Sequence, residues 1–412
     1  MTFNRSVPFF LVVGLAAATS VVVEARESAS SSESTGSQGQ AEGYLRFHYG
    51  SLVADTHNDV LLRVIHGEDI THRTVRGQSD LDRMKEGGVD VQVFSVWIAP
   101  GYIPHAYERA NEEIDSLESI VHRASGRIGI ARTPMEVDAL VREGKIAALI
   151  GVEGGHHIEN DTGKFEALCR RGMRSMTLTW NNSTEWATSA NDETLRADSL
   201  PHKGLTEFGR SIVRRMNELG IMVDVSHVGE QTFWDVLRTT TKPVIASHSS
   251  CYAICPHYRN LKDDQLKAIA ENGGVVFINF FSGFLDSTYS RKHRAITGRY
   301  RTRLDSLKNA WKGDDFGLDG AESELLRPDM EKIRPPLSLL VDHIDHAVKV
   351  AGIDHVGLGS DFDGISSSPV GMEDAAQFPN ITRELLKRGY SREDVRKVLG
   401  ENFMRVFREV TQ

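Results

Sequence analysis

The feature that most constrains the fold of this chain is a repeated alternation of short, β-branched apolar runs with longer amphipathic segments. Several apolar runs lack polar alternation, as expected for parallel strands that are buried on both faces. Between them, the spacing of apolar residues predicts helices, for example over residues 106–123 and 205–219. The predicted strands cover residues 52–59, 89–97, 146–153, 173–180, 221–227, 244–248, 275–280 and 355–362.

Eight strands that alternate with helices predict a parallel α/β fold, which we interpret as a (β/α)8 TIM barrel over residues 44–412. An open doubly wound sheet is the alternative. No Gly-x-Gly-x-x-Gly follows the first strand, so a dinucleotide-binding version of that sheet has no support. Residues 285–335 form a long, charged interruption, which predicts a helical insertion before the last strand, on the catalytic rim or at an oligomer contact.

The N-terminal residues predict export, to the periplasm or outside the cell. Arg5 and the apolar run 9–23 indicate a signal peptide over residues 1–25, with an uncleaved anchor helix as the alternative. Residues 26–43 are rich in Ser, Glu and Gly and predict a disordered linker. The net charge of −9 argues against a nucleic-acid partner, and we expect no stable membrane anchor. Three cysteines allow at most one internal disulfide, and small buried side chains are the favoured interpretation.

Side chains that can bind metal stand at the ends of several predicted strands. Alternate residues of a strand share a face, so His57 and Asp59 can reach one ion together. In a barrel the carboxyl ends of the strands meet at one mouth, where active sites form. Any one of these groups alone is more often a hydrogen-bonded buried polar group, but together they predict a metal site. The residues are His57, Asp59, Glu153, His227, His248 and Asp361.

The number of these groups predicts two metal ions. Five ligands exceed the three protein ligands of a typical catalytic zinc site, so we expect two Zn²⁺ ions per chain. Paired ions can activate a water molecule and polarise a carbonyl oxygen. Asp361 then remains free for proton transfer, as a base toward that water and as an acid toward the leaving amine. The assignment is His57 and Asp59 on one ion, His227 and His248 on the other, and Glu153 as the bridge.

These motifs, in their order along the chain, resemble the membrane (renal) dipeptidase family of amidohydrolase-like zinc barrels. The resemblance covers nearly everything from Tyr44 onward. It implies a binuclear zinc peptidase that hydrolyses dipeptides, often with a D-residue at the C-terminal position, and it suggests a homodimer. The motifs are Asp-x-His-Asn-Asp at 55–59, Val-Glu-Gly-Gly-His at 152–156, Asp-Val-Ser-His at 224–227, Ser-His-Ser-Ser at 247–250 and Gly-Ser-Asp-Phe-Asp-Gly at 359–364.

The resemblance also implies roles for individual residues. The five metal ligands and Asp361, as the proton-transfer group, match the family's motifs. Arg259, in Pro-His-Tyr-Arg-Asn at 256–260, matches the family's arginine that binds the substrate carboxylate. A guanidinium suits that role because it can hold a carboxylate with two parallel hydrogen bonds.

One position departs from the family pattern. Well-known members have a histidine after the Thr-Leu-Thr of the fourth strand, where it stabilises the tetrahedral intermediate, and this chain has Trp180. An indole donates one neutral hydrogen bond and carries no positive charge. Asn181 or Asn182 is therefore a candidate for the missing donor. We interpret Trp180 as a mark of altered substrate preference, because every metal ligand and Asp361 remain.

Two other functions stay open at this point. One is a barrel that acts on another amide, a lactone or an N-acyl amino acid, and the other is a non-catalytic secreted binding protein. Arg259 distinguishes the first alternative from a dipeptidase, because a substrate without a free carboxylate would leave its guanidinium with nothing to bind. Intact metal ligands weigh against the binding protein.

Other polar residues are predicted to have supporting roles. Asp55 shares a strand face with His57 and is either a partner behind the metal ligands or a buried, backbone-bonded carboxylate. His156 and His157 are expected at the rim or behind Glu153. His343 and His346 are three residues apart on a helix, a spacing that could hold metal, but we expect them to lie on the helix surface.

Overall fold

The computed structural model describes residues 37–412, which form two compact units on either side of the Ser51–Leu52 bond. The described part of the first unit contains one helix, α1 (Ser37–Tyr49). This helix corrects the C-terminal end of the predicted disordered linker, since residues 37–43 are helical; Gln, Ala and Glu in this stretch favour a helix. The predicted signal peptide and residues 26–36 of the linker lie outside the described residues.

The second unit is built on a barrel of eight parallel strands, and this confirms the predicted fold class. Neighbouring strands pair in the order β1-β2-β4-β5-β6-β7-β8-β9. The barrel closes between β1 and β9, where Asp59 N donates to Phe362 O over 2.9 Å and Asp361 N donates to His57 O over 3.0 Å. The strands are β1 Ala54–Asn58, β2 Val91–Val96, β3 Ile128–Ile130, β4 Ile146–Glu153, β5 Met173–Thr177, β6 Met222–Asp224, β7 Ile245–Ala246, β8 Val275–Ile278 and β9 Val356–Leu358.

Each of the eight predicted strands is present, although most are shorter than predicted. The strand missing from the prediction is β3. It pairs with residues 146–148 of β4, and β5 pairs with β4 from Ile150 onward. The strand β3 is three residues long and contains Gly129, so it carries almost no periodic signal.

Helices connect the strands and cover the outside of the barrel. Gly172 and Gly220 end two of them in the left-handed conformation, with φ of 114° and 67°. The helices are α2 Leu61–Ile65, α3 Leu81–Glu86, α4 Ala106–Arg123, α5 Pro134–Arg142, α6 Thr162–Arg171, α7 Ala190–Leu195, α8 Glu207–Leu219, α9 Glu230–Thr239, α10 Asp263–Glu271, α11 Ser282–Leu285, α12 Tyr289–Ala310, α13 Asp315–Met330, α14 Leu337–Ala351, α15 Phe378–Lys387, α16 Arg392–Arg396 and α17 Asn402–Thr411.

The predicted insertion is a helical hairpin formed by α12 and α13 between β8 and α14. Tyr289 and Ile296 of α12 pack against Leu326 and Met330 of α13 in a small apolar cluster. The hairpin therefore has its own core, which explains how a long charged segment can interrupt a barrel crossover without breaking the barrel.

One end of the barrel is filled by apolar side chains. Phe403 and Phe407 of α17 belong to the same buried cluster as the first residues of several strands, such as Val91 and Val275. The other end, where the strands terminate in polar residues, is consequently the mouth available for a functional site.

The structure also bears on the cysteines and on the possibility of a membrane-spanning helix. Cys169, Cys251 and Cys255 are unpaired, and the last two are buried, in agreement with the favoured interpretation. Within residues 37–412, none of the helices has the combination of length and apolar character that crossing a bilayer requires.

Candidate metal centre

The six polar groups predicted at the strand ends lie together at the barrel mouth. Their convergence follows from the topology, because parallel strands place all their carboxyl ends on one side. The side chains of the five predicted metal ligands are at most 7% exposed. The groups are His57 in β1, Asp59 after β1, Glu153 at the end of β4, His227 after β6, His248 after β7 and Asp361 after β9.

The carboxylate of Glu153 lies between the two sides of this cluster. Its Oε2 is 3.6 Å from His57 Nε2. Its Oε1 is 2.8 Å from His227 Nε2 and 3.3 Å from His248 Nε2. On the first side, Asp59 Oδ2 is 3.3 Å from His57 Nε2. One carboxylate thus has an oxygen facing each of two ligand groups.

The donor set fits divalent metal ions. His57 Nε2 and Asp59 Oδ1 are buried and make no hydrogen bond to any of the described residues. His227 Nε2 and His248 Nε2 are 3.0 Å apart, so two ring nitrogens of buried imidazoles face each other. Imidazole nitrogens and carboxylate oxygens in this arrangement are zinc-type ligands. Ligand atoms lie within 4.8 Å of one another in the groups His57, Glu153 and His248, and His57, Asp59 and Asp361.

Hydrogen bonds on the far side of the imidazoles hold two of these histidines in place. His248 Nδ1 is 2.8 Å from Ser247 Oγ, which donates to Asp224 Oδ2 over 2.6 Å. His227 Nδ1 is 3.2 Å from Asn181 Oδ1. Partners of this kind fix the tautomer that leaves Nε2 free to bind a metal. This contact between Asn181 and a predicted ligand has no counterpart in the sequence motifs.

Backbone strain is concentrated at the same mouth. His227 and Asp361 adopt positive φ values of 64° and 60°, in a region that non-glycine residues seldom occupy. Hydrogen bonds hold both positions, for example from Ala190 N to His227 O over 2.8 Å. Strained residues of this kind persist where the surrounding structure over-determines them, which is common in active sites.

Asp361 lies at the mouth beside His57 and Asn279. Its Oδ2 accepts a hydrogen bond from Asn279 Nδ2 over 2.8 Å, and its Oδ1 is 4.0 Å from His57 Nε2. Burial raises the pKa of Asp361 to about 8, and the neighbouring carboxylates of Asp59 and Glu153 raise it as well, against the effect of His57.

Arg259 brings a buried positive charge to the site. It is only 4% exposed, its Nη2 donates to His248 O over 3.4 Å, and its guanidinium carbon is 5.4 Å from the centre of the Phe284 ring. Burial lowers its pKa, while Asp361 and Glu153 raise it. Among the described residues no carboxylate forms an ion pair with it. A buried guanidinium without a carboxylate partner is suited to an anionic substrate group.

Trp180 lies at the same mouth, partly buried beside a predicted ligand. The centre of its ring system is 6.2 Å from that of His227 and 4.9 Å from that of Trp97. Trp97 follows β2 directly and was not among the sequence candidates. An isolated tryptophan after an apolar strand gives no signal that distinguishes a site residue from a core residue.

The residues predicted to have supporting roles fall into two groups. Asp55 is a buried carboxylate that accepts hydrogen bonds from Ser360 N and Ser360 Oγ, both over 2.7 Å, and so ties β1 to the end of β9. His156 and His157 lie behind Glu153, where both contact the backbone of Ile98.

The surface position predicted for His343 is wrong. This residue is fully buried, its Nδ1 accepts a hydrogen bond from Cys251 N over 3.0 Å, and its Nε2 is 3.1 Å from Leu285 O. The face of α14 that carries His343 turns inward, and two backbone groups satisfy its ring nitrogens. His346 is partly buried and forms an ion pair with Asp263 over 2.7 Å.

Known proteins resemble this chain both in sequence and in fold. The family model described as membrane dipeptidase (peptidase family M19) matches residues 45–412. Dipeptidase verJ from Clonostachys rogersoniana is 36% identical over 354 residues, which are 82% of this chain and 78% of that protein.

Solved structures with the same fold include two bacterial proteins. The probable dipeptidase PvdM from Pseudomonas aeruginosa has a TM-score of 0.75 at 26% identity, over 91% of this chain and 99% of that one. A metallopeptidase from Rhodobacter sphaeroides, liganded with a phosphinate mimic of the dipeptide L-Ala-D-Ala, has a TM-score of 0.69 at 26% identity, over 87% of this chain and 99% of that one.

Proposed function

The chain belongs to the membrane dipeptidase family and is a metal-dependent dipeptidase, and we propose that its metal centre holds two zinc ions. His57 and Asp59 would bind one ion and His227 and His248 the other. Glu153 would bind both. Bound at these residues, the ions would supply the polarisation of the peptide carbonyl and the activation of a water molecule.

The observation that carries this proposal is the placement of the Glu153 carboxylate. Its two oxygens face different groups of ligands, Oε2 toward His57 and Oε1 toward His227 and His248. Three imidazoles lie around this carboxylate on two sides, which supports two ions that share it. Two ions also account for five buried ligand groups better than one ion with three protein ligands does.

We assign Asp361 to proton transfer and Arg259 to substrate binding. Asp361 would take a proton from the attacking water and deliver it to the leaving amine nitrogen. Its fixed contact with Asn279 keeps its second oxygen directed toward the centre. Arg259 would hold the free carboxylate of the dipeptide, which supplies the counter-ion that its buried guanidinium lacks in the described structure.

Asn181, the neighbour of Trp180, contacts a predicted metal ligand through its side-chain oxygen, and its amide Nδ2 remains a candidate donor. Asn181 Oδ1 is directed to His227 Nδ1, so this oxygen is committed to orienting a ligand. We keep Trp180 and Asn181 as substrate-facing residues, with Trp180 as a wall of the pocket.

The substrates we propose are small peptides, including dipeptides with a D-residue at the C-terminal position. The related metallopeptidase from Rhodobacter sphaeroides binds a mimic of L-Ala-D-Ala. We also keep export and a homodimer as predictions, the first from the signal-peptide pattern of residues 1–25 and the second from the family resemblance.

The experiment compares a dipeptide with its C-terminal amide. We expect the wild-type protein to cleave L-Ala-L-Ala and L-Ala-D-Ala, to lose this activity with a chelator, and to cleave the dipeptide amide poorly. Arg259→Met should lower kcat/KM for the free dipeptide about 100-fold, the usual effect of removing one partner of a buried charge pair. Arg301→Met, at an exposed residue of α12, is the matched control and should leave kcat/KM unchanged.

Two results would contradict these assignments. Equal rates for the dipeptide and its amide in the wild-type protein would remove the carboxylate role of Arg259. Undiminished hydrolysis after complete removal of metal would remove the role of the metal centre.

A further inference from the structure

Two tryptophans flank the predicted bridging residue from neighbouring strands. The strand β4 pairs with β2 on one side and with β5 on the other. Trp97 follows β2 directly, Glu153 is the last residue of β4, and Trp180 lies three residues beyond β5. The two indoles thus reach the mouth on either side of Glu153.

The indoles meet each other at this position. Their ring centres are 4.9 Å apart with an interplanar angle of 58°, a favourable tilted arrangement. Trp180 Cβ is 3.5 Å from the point where a Cβ on Gly154, the residue after Glu153, would stand. Both residues are partly buried, so each retains some exposed surface. We call this pair, Trp97 and Trp180, the aromatic wall.

Three buried titratable side chains hold the backbone next to the aromatic wall. Glu113 Oε2 accepts a hydrogen bond from Trp97 N over 2.9 Å. His157 Nε2 accepts one from Ile98 N over 3.1 Å, and His156 Nε2 donates to Ile98 O over 2.9 Å. Burying such groups is costly, and here their hydrogen bonds are directed at the two residues that follow β2. This arrangement preorganises the position of Trp97.

The aromatic wall offers a carbon surface. The indole Nε1 of Trp97 is buried and makes no hydrogen bond to the described residues. The exposed part of this side chain is therefore the apolar ring, and the neighbouring Trp180 ring extends the same surface. A large apolar or aromatic side chain gains the most from contact with such a surface.

Arg259 lies elsewhere around the mouth. It contacts the carbonyl of His248 at the end of β7, and β7 is three strands away from β4 in the ring of eight. A dipeptide whose carboxylate is held by Arg259 therefore extends across the metal centre with its N-terminal residue toward β4.

We propose that the aromatic wall formed by Trp97 and Trp180 binds the side chain of the N-terminal residue of the substrate. The preferred substrates are then dipeptides with a large apolar or aromatic N-terminal residue. This inference rests on the proposed role of Arg259, which sets the orientation of the dipeptide.

The test measures kcat/KM for Phe-Ala, Ala-Ala and Ala-Phe. We expect the wild-type protein to prefer Phe-Ala to Ala-Ala by about tenfold or more, in the range found for apolar side-chain pockets. In Trp97→Ala and in Trp180→Ala this ratio should fall to about threefold or less, while the ratio of Ala-Phe to Ala-Ala stays within about twofold of wild type. Trp311→Ala removes a tryptophan that is 40% exposed on the helical hairpin and should keep the wild-type ratios.

The inference is overturned if the wild-type protein cleaves Ala-Ala as well as Phe-Ala, a result that does not depend on whether any variant folds. It is also overturned if the two tryptophan variants lower kcat/KM for all three substrates equally, or if selectivity follows the C-terminal residue. The role of Arg259 is judged separately, because the comparison of a dipeptide with its amide uses the same side chains in both substrates.

Discussion

Glu113 is the residue whose role is least evident from its position in the sequence. It is an acidic residue in the amphipathic helix α4, yet it is fully buried, and its Oε1 makes no hydrogen bond to the described residues. Burial raises its pKa well above the usual range, and the nearby charges of Asp59 and Glu153 raise it further. These effects favour the protonated form of the carboxyl group, whose Oε2 accepts the hydrogen bond from Trp97 N.

This protonation state predicts different outcomes for two substitutions. Glu113→Gln keeps the shape, the neutrality and the acceptor, and should change the free energy of unfolding by less than about 1 kcal/mol. Glu113→Ala leaves Trp97 N without a partner and creates a cavity, and should cost about 3 kcal/mol. Urea unfolding of both variants, with the same metal content as the wild-type protein, provides the measurement. An equal loss in the two variants would contradict a protonated Glu113 side chain.

For individual residues, the sequence predicted which side chains lie together at the mouth but not how loop residues contact them. The positions of His57, Asp59 and Glu153 follow from where strands end, because parallel strands deliver their ends to one mouth. Contacts such as that between Asn181 and His227 depend on loop conformation, which leaves no periodic pattern in the sequence. The prediction for His343 was wrong because the spacing of two histidines does not tell which face of a helix is buried.

At the scale of elements, the closing strand depends on a close backbone approach at Gly359, directly after β9. A Cβ at this position would lie 1.9 Å from Ser247 O and 2.9 Å from Thr56 Oγ1. Neither atom is free to retreat, since Thr56 Oγ1 donates to that carbonyl over 2.6 Å. Only glycine allows the end of β9, which leads to Asp361, to reach its position.

We therefore expect Gly359→Ala to destabilise the protein by about 3 kcal/mol, the upper end of the range for overpacking, and to lower dipeptidase activity. Gly298→Ala is the matched control, because a Cβ there meets nothing within 4 Å on the exposed helix α12. It should stabilise the protein by about 0.5–1 kcal/mol. Thermal unfolding of the two variants separates a local clash from a general effect of alanine. A Gly359→Ala protein as stable as wild type would contradict the account of barrel closure.

The elements themselves were largely predictable. Eight β-branched runs identified the barrel strands because buried parallel strands have a strong apolar signal. The ends of the strands were less certain, and β7 proved to contain only Ile245 and Ala246. The short strand β3 and the helix α1 lie in stretches of weak or polar composition, where pairing and local propensity, respectively, decide the outcome.

In the barrel unit as a whole, one end of the barrel is packed with apolar side chains and the other carries the polar site. Apolar residues of α17 fill one end, around Phe403 and Phe407. This packing leaves the other end free to collect buried charges that would be destabilising in an apolar core. The packing at the apolar end offsets the free-energy cost of the strained backbone and of the buried polar atoms without hydrogen bonds at the mouth, a division that is typical of TIM-barrel enzymes.

We propose that five residues at this mouth bind two metal ions through one shared carboxylate. The most direct test of this proposal is the zinc content per chain after equilibrium dialysis, measured by elemental mass spectrometry for the wild-type protein, His248→Ala and Glu153→Ala. We predict two ions per chain for the wild type, one tightly bound ion for His248→Ala, and weakened binding of both ions for Glu153→Ala. A wild-type protein that binds a single ion, or a Glu153→Ala protein that retains two with undiminished affinity, would contradict the account.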